Sequence, residues 1–385
     1  METRKLYYED CHMQQFTATV TACQETKDGY AVQLDATAFY PVGGGQDCDT
    51  GNLGNVKVLH VREEGEQILH ICDEPLEVGQ TVSGSIDYDA RFARMQQHTG
   101  EHMVSGLIHQ LFGYHNVGFH MGKDAMEVDF DGMLTDEDVA RVERLANEAV
   151  WKNLTVKCWY PAPEELSQVG YRSKRELPWP VRIVQIPGYD SCACCGVHVA
   201  RTGEVGIIKI LSRTKFHAGV RLEMVCGDQA YTYISAALEQ NRQVSQLLSV
   251  KVLETGDGAK KLLEALSQQK YRNGQLQEQI FCSIAQSYAG GDDVIHFEEG
   301  LEPGQLRNLA DQIAQVCSGV AAVFSAAGEK CNYCLVSRGT DVSALGKAMT
   351  QALSGRGGGK PNAQQGTLQA DRAAIEAFFQ KWQGN

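Results

Sequence analysis

His98 and His102 stand four residues apart in the run His98-Thr99-Gly100-Glu101-His102. On an α-helix that spacing puts both imidazoles on one face about one turn apart, which is what two side chains sharing a metal ion require. Further along, Cys194-Cys195-Gly196-Val197-His198 sets a thiol and an imidazole four residues apart around a glycine turn, with Cys192 just before it. Taken singly, the histidine pair also fits an ordinary polar helix face. Together the two halves give the cysteine and histidine set that tetrahedral Zn²⁺ takes, so the expected ligands are His98, His102, Cys194 and His198, with Cys192 and Cys195 as competitors of Cys194. Four bound side chains would leave the ion to orient or polarise a substrate, whereas a missing ligand would let it generate hydroxide near neutral pH. Glu101 is the candidate general base if it faces the same pocket.

These side chains need particular elements beneath them. Residues 90–112 repeat apolar side chains near helical spacing, with Gly113 as a stop, so the histidines are expected on a helix. A second helix is expected over 135–152, opened by Thr135 with Glu137 and Asp138 in its first turn. The first 90 residues alternate short apolar runs with Gly and Asp turns, which reads as a β-rich, barrel-like domain (1–90). Strand-like pieces around 156–160, 181–186, 205–211 and 220–225 make 91–226 an α+β domain carrying the metal. Residues 227–290 read as a helical hairpin parted at Thr255-Gly256-Asp257-Gly258, and 291–385 as a small α/β domain. The fold class expected is therefore α+β and multidomain.

Composition narrows the function. A chain of 385 residues carries a prior of two to three domains, and its 43% hydrophobic content suits folded cores. The net charge of −13 argues against indiscriminate coating of nucleic acid, which needs many cations facing phosphates. No apolar run approaches the roughly 18 residues that span a bilayer, and the first ten residues are charged, so a cytoplasmic protein with no membrane partner is expected. Thirteen cysteines suit reduced thiols. Cys331 and Cys334 read as buried structural thiols, and His120 either lines the pocket or serves the fold.

The H-x-x-x-H followed about 90 residues later by C-x-x-x-H resembles the editing domain of alanyl-tRNA synthetases and their free-standing AlaX-type trans-editing relatives. The resemblance continues in Thr37-Ala38-Phe39-Tyr40-Pro41-Val42-Gly43-Gly44-Gly45-Gln46 with Asp49-Thr50-Gly51, in Gly118-Phe119-His120-Met121-Gly122, and in Thr202-Gly203-Glu204-Val205-Gly206. Ala218-Gly219-Val220-Arg221 and Gly357-Gly358-Gly359-Lys360-Pro361 extend it, the latter being similar to the end of the synthetases' DHH-associated C-terminal domain. The resemblance covers nearly the whole chain and leaves out the ATP-dependent aminoacylation core. It implies zinc on His98, His102, Cys194 and His198, with Gln46 and Thr37 at pocket positions, the threonine hydroxyl helping to sense serine. It implies hydrolysis of the ester of mischarged tRNA(Ala), chiefly Ser-tRNA(Ala), with Gly-tRNA(Ala) second. Such a site is useful because a synthetase pocket rejects small near-isosteres poorly. The chain departs from the family's usual residues at Cys195 (Gly), Val197 (Thr) and Glu101 (Gln).

Other readings compete. His98-x-x-Glu101-His102 also matches the H-x-x-E-H of inverzincin peptidases, which complete their site with a carboxylate from a later helix. A closed zinc site in a catalytically silent tRNA-binding protein is the third possibility. For RNA contact, Arg221 belongs to an acid-free stretch (207–221) with Lys209, Arg213 and Lys215, while Arg356 and Lys360 flank the glycine run. As a bare motif that run reads as a flexible connector, and Gly43-Gly44-Gly45 as a tight turn. A homodimer through the helical or C-terminal region is the remaining partner expectation.

Overall fold

A computed structural model describes residues 2–173, 180–328 and 330–382. Contacts divide the chain into two units, Met1–Gln243 and Val244–Asn385.

The first unit opens with β1 (Arg4–Lys5), β2 (Gln15–Thr26), β3 (Gly29–Leu34), β4 (Ala36–Thr37), β5 (Gly51–Leu53), β6 (Val56–Glu64), β7 (Gln67–Cys72) and β8 (Thr81–Ile86). Along β2 Phe16, Ala18 and Val20 are buried on alternate positions, the period of a strand with one face inward. β2, β3, β7, β6, β5 and β8 pair in that order and β8 returns to β2, closing the ring. Gly84 lets β8 cross the Phe16 ring, because a Cβ there would lie 2.2 Å from it.

Asp87 then caps α1 (Tyr88–Phe112), accepting from Ala90 N–H, and Gly113 ends it in the left-handed conformation. β9 (Asn116–Met121) and β10 (Met126–Phe130) follow, and then α2 (Asp136–Lys152), opened by a reciprocal Thr135–Asp138 capping box. β11 (Lys157–Trp159), the one-turn α3 (Pro163–Leu166), β12 (Ile183–Ile186) and β13 (Asp190–Ala193) lead to β14 (Ile208–Phe216) and β15 (Gly219–Cys226). Two antiparallel sheets result, β11-β12-β13 and β14-β15-β10-β9. α1 packs among them, and Met95, Met103, Val104 and Ile108 on its inner face join the same core as the barrel side chains.

α4 (Gly227–Leu248) and α5 (Thr255–Gln286) are the two helices expected of a hairpin, but the break between them differs. Thr255, Gly256, Asp257 and Gly258 form the first turn of α5, where backbone N–H groups need no intrahelical partner and Asp257 suits the helix dipole. The chain turns at 249–254, starting from Ser249 at φ 53°.

The second unit continues with β16 (Val294–Phe297), α6 (Pro303–Val316), β17 (Val320–Ala327), β18 (Lys330–Ser337), α7 (Ser343–Ala352), β19 (Arg356–Lys360), β20 (Ala363–Leu368) and α8 (Arg372–Lys381). Its sheet runs β16-β17-β18-β20-β19. Ala321, Val323, Cys334 and Val336 face α6 and the end of α5. Ala322, Phe324, Cys331 and Leu335 face α7 and α8 on the opposite side. Cys331 and Cys334, three apart on one strand, thus enter different cores and share no site. The glycine run is not a connector: it is edge strand β19, where Gly357 is required because a Cβ would lie 2.1 Å from the Tyr333 hydroxyl.

Candidate metal centre

α1 presents His98 and His102 on one buried face, 2% and 3% exposed. The loop after β13 brings Cys194 and His198 to meet them, so that one ligand atom from each of the four lies within 4.8 Å of the others. The three imidazole centroids are 4.5–5.2 Å apart. Gly196 makes this approach possible: a Cβ there would lie 2.2 Å from His98 Cε1. Arg182 pins the loop by donating to the carbonyls of Cys194 at 2.9 Å and Gly196 at 2.8 Å. Tyr8 Oη donates to the carbonyl of Cys195 at 2.6 Å.

Every histidine is held by its Nδ1. His98 Nδ1 donates to Gln46 Oε1 at 2.9 Å, His102 Nδ1 to Asp190 Oδ2 at 2.9 Å, and His198 Nδ1 lies 3.2 Å from Thr99 Oγ1. Asp190 is in turn gripped by Arg172 at 2.7 and 2.9 Å. With each Nδ1 spent, the Nε2 atoms are the free ligands, and His198 Nε2 is buried without a hydrogen-bond partner. Gly196 N–H donates to Cys194 Sγ at 3.3 Å, a bond suited to a thiolate. Burial opposes charge on Cys194, but His98 and His102 outweigh it and hold the thiol well below its ordinary range. For His102 burial is likewise outweighed, by Asp190 and Cys194, and its pKa is raised; burial pushes His198 down to about 3, leaving it neutral and ready to ligate. These groups fit a borderline-soft, four-coordinate ion.

The other expected residues are placed as follows. Gln46 is buried and touches the site through His98; the turn Gly43-Gly44-Gly45 delivers it, with Gly44 at φ 61° and Gly45 at φ 82°, and a Cβ on Gly45 would strike Phe119. Thr37 is not on the cavity wall. Its hydroxyl donates to His70 Nε2 at 2.8 Å and accepts from Phe39 N–H at 3.1 Å, so β4 uses it to hold the barrel. Glu101 is 5% exposed and lines the cavity beside the histidines. Cys195 is exposed on the same wall, outside the four-ligand cluster, while Cys192 lies near His102 and Asp190. His120 is exposed on β9 and does not line the cavity, but its neighbour Phe119, part of the same motif with no role assigned to it, stacks on His98 at 5.5 Å. The inverzincin reading loses its carboxylate ligand, since the third and fourth positions here are a thiol and an imidazole.

Arg221 is already engaged by carboxylates. It makes a two-pronged ion pair with Asp129 and a further one with Glu127, both on β10. Lys209 and Arg213 are likewise paired, with Glu143 and Asp136 of α2. The stretch lacks acids along the chain, yet acids from neighbouring elements pair with Lys209, Arg213 and Arg221. Arg356 and Lys360 lie exposed at the two ends of β19.

His98, His102 and Cys194 form part of the wall of a cavity of about 710 Å³, whose lining includes Glu101, Asn116 and Phe119, and His198 meets them from behind that wall. Family models match residues 2–90 (tRNA synthetases class II (A)), 181–222 (threonyl and alanyl tRNA synthetase second additional domain) and 287–383 (DHHA1 domain). The alanyl-tRNA editing protein Aarsd1 of Mus musculus is 28% identical over 98% of this chain and 97% of its own length. By kinship the chain is AlaX-like. Aarsd1 of Danio rerio is 26% identical over 97% of the AlaX-like chain and 96% of its own length. The alanine–tRNA ligase of Thermofilum pendens is 31% identical over 98% of it, but the chain spans only 44% of that enzyme, and a similar 43% of the ligase of Pyrococcus abyssi. Among the described residues no helix is long and apolar enough to cross a membrane.

Proposed function

We infer that this AlaX-like chain is a cytoplasmic deacylase that hydrolyses the ester joining a wrong amino acid to the 3′ end of tRNA(Ala), serine first and glycine second. The observation that carries this reading is the convergence of His98, His102, Cys194 and His198 into one cluster, three of whose members line a cavity far larger than an aminoacyl group needs. Such a cavity has room for the terminal ribose and base as well. The Aarsd1 relatives, called alanyl-tRNA editing proteins, support the same substrate.

The orphaned His198 Nε2 and the thiol held toward its thiolate fit Zn²⁺. A bound zinc would supply Lewis-acid polarisation of the ester carbonyl or of an attacking water. The protein's part is positional. Gln46, Asp190 and Thr99 fix the orientation and tautomer of the three imidazoles, and Arg172 locks Asp190. Phe119 closes one side of His98 against solvent. Glu101 Oε2 stands 4.0 Å from His102 Nε2, on the cavity wall beside the cluster. Arg356 and Lys360 of β19 supply phosphate contacts for the RNA.

The test pairs metal content with turnover. His102→Ala and Cys194→Ala are expected to lose bound zinc and to abolish release of serine from Ser-tRNA(Ala). A metal-free variant that still deacylates at the full rate refutes the metal's role. Incubation with Ser-, Gly- and Ala-charged tRNA(Ala) ranks the substrates, and release of none of them refutes the function.

A further inference from the structure

Glu101 and Asn116 occupy a corner of the cavity that the metal ligands do not use. Glu101 lies on α1 and Asn116 opens β9. Ser105 Oγ and Asn116 Nδ2 both donate to Glu101 Oε1 at 2.5 Å, and Asn116 Nδ2 also lies 3.3 Å from Ser105 Oγ. These contacts fix the amide, because the flipped rotamer would press its oxygen against a carboxylate.

Two acceptors are left over. Asn116 Oδ1 is buried with no hydrogen-bond partner, on a residue only 6% exposed. Glu101 Oε2 takes no hydrogen bond from any described residue. Leaving a buried acceptor unpaired costs roughly 1–3 kcal/mol, so the corner is built for a donor that arrives from outside. Among the described residues, the cations on the wall are already engaged: Arg172 on Asp190, Arg182 on two carbonyls and Lys5 on Glu63. Two free acceptors, one of them charged, select a group with several N–H donors, a positive charge and no lone pair.

The acyl part of an aminoacyl ester carries such a group two bonds from its carbonyl carbon. We propose that Glu101 Oε2 and Asn116 Oδ1 form an ammonium subsite that seats the free α-amino group of the aminoacyl ester, so that the cavity selects esters of unblocked amino acids over N-acylated or α-hydroxy acids. This rests on the deacylase reading and turns Glu101 from the expected general base into a substrate-holding group. An ammonium seated at Oε2, 4.0 Å from His102 Nε2, keeps its ester carbonyl beside the ligand cluster.

The full-length, zinc-loaded protein is titrated with two non-hydrolysable probes. One is 3′-serylamido-3′-deoxyadenosine, and the other is its counterpart with hydroxyl in place of the α-amino group. Wild-type protein is expected to bind the amino probe about 10- to 100-fold tighter, the range of one charge-assisted hydrogen bond. In Glu101→Gln the ratio is expected to fall toward one. Asn116→Ser, which removes one acceptor and leaves the carboxylate, is expected to give an intermediate ratio, so each half of the subsite is probed by its own variant. Absence of a preference in the wild type, or an unchanged ratio in Glu101→Gln, overturns the subsite. Hydrolysis of Ser-tRNA(Ala) and N-acetyl-Ser-tRNA(Ala) is followed alongside, and Glu101→Gln is expected to slow the first far more than the second. Equal slowing of both esters marks proton transfer and also overturns it. A clear preference for the amino probe with neither ester hydrolysed keeps the subsite and sinks the deacylase reading.

Discussion

At Gly196 a single hydrogen atom separates a working ligand set from a blocked one. Gly196→Ala would drive a methyl group to 2.2 Å from His98 Cε1, against a ring already held by Gln46 and Phe119. We expect the variant to fold and to bind metal roughly 10- to 100-fold more weakly, the scale of a lost supporting contact, as measured by chelator competition. His70 gives a second prediction. Its burial pushes its pKa down to about 4, and it stays neutral between the Val32 carbonyl and the Thr37 hydroxyl. The unfolded chain takes up that proton near pH 6.5, so the stabilisation is complete above that pH and is lost as pH falls toward 4. The loss amounts to about 3 kcal/mol, and His70→Gln should flatten this part of the denaturation midpoint's pH profile. The His/Cys cluster was legible because spacing alone puts His98 and His102 on one helical face and Cys194 and His198 around one turn. It did not disclose Asp190, Arg172, Phe119 or Asn116, whose roles come from side chains tens of residues away. The partners of Thr37 and Arg221 were hidden for the same reason: His70 and Asp129 belong to other strands.

The elements are tied to the site by a buried ion pair. Arg91 on α1 and Asp49, both fully buried, bind each other, while Asp49 accepts from Tyr40 N–H at 2.6 Å and Arg91 donates to the Ala38 carbonyl at 2.6 Å. The segment that carries Gln46 is thereby fastened to the helix that carries His98. Arg91→Ala leaves the buried carboxylate with only the Tyr40 N–H and the more distant Arg94 guanidinium, 3.8 Å away, for an expected loss of roughly 3 kcal/mol in denaturant titrations. Most elements could be read from periodicity and caps: α1 with its Gly113 stop, α2 with its Thr135 box, and β16 at 294–297. β19 could not, since three glycines carry no alternation, and it becomes a strand only because β20 pairs with it under the Tyr333 hydroxyl. The break after α4 was likewise displaced, because glycine at the start of a helix looks the same in sequence as glycine at its end.

On the scale of the molecule, the whole metal centre and its cavity belong to the unit Met1–Gln243, whereas Arg356 and Lys360 belong to Val244–Asn385. Chemistry and RNA grip should therefore respond to different changes. The double variant Arg356→Ala/Lys360→Ala is expected to weaken tRNA binding and to lower the slope of log affinity against log salt by about one to two, while hydrolysis at saturating tRNA is retained. An unaltered slope in filter-binding titrations would remove these side chains from the interface. β19 is also the outermost strand of its sheet, exposed along all five residues, three of them without side chains. A bare rim of N–H and C=O groups is open to another strand, and what repels a second copy there is the positive charge at either end. On the proposed reading, the two cations that would attract a polyanion also keep identical molecules from knitting together edge to edge, and a variant stripped of both should be watched for fibrils or higher oligomers.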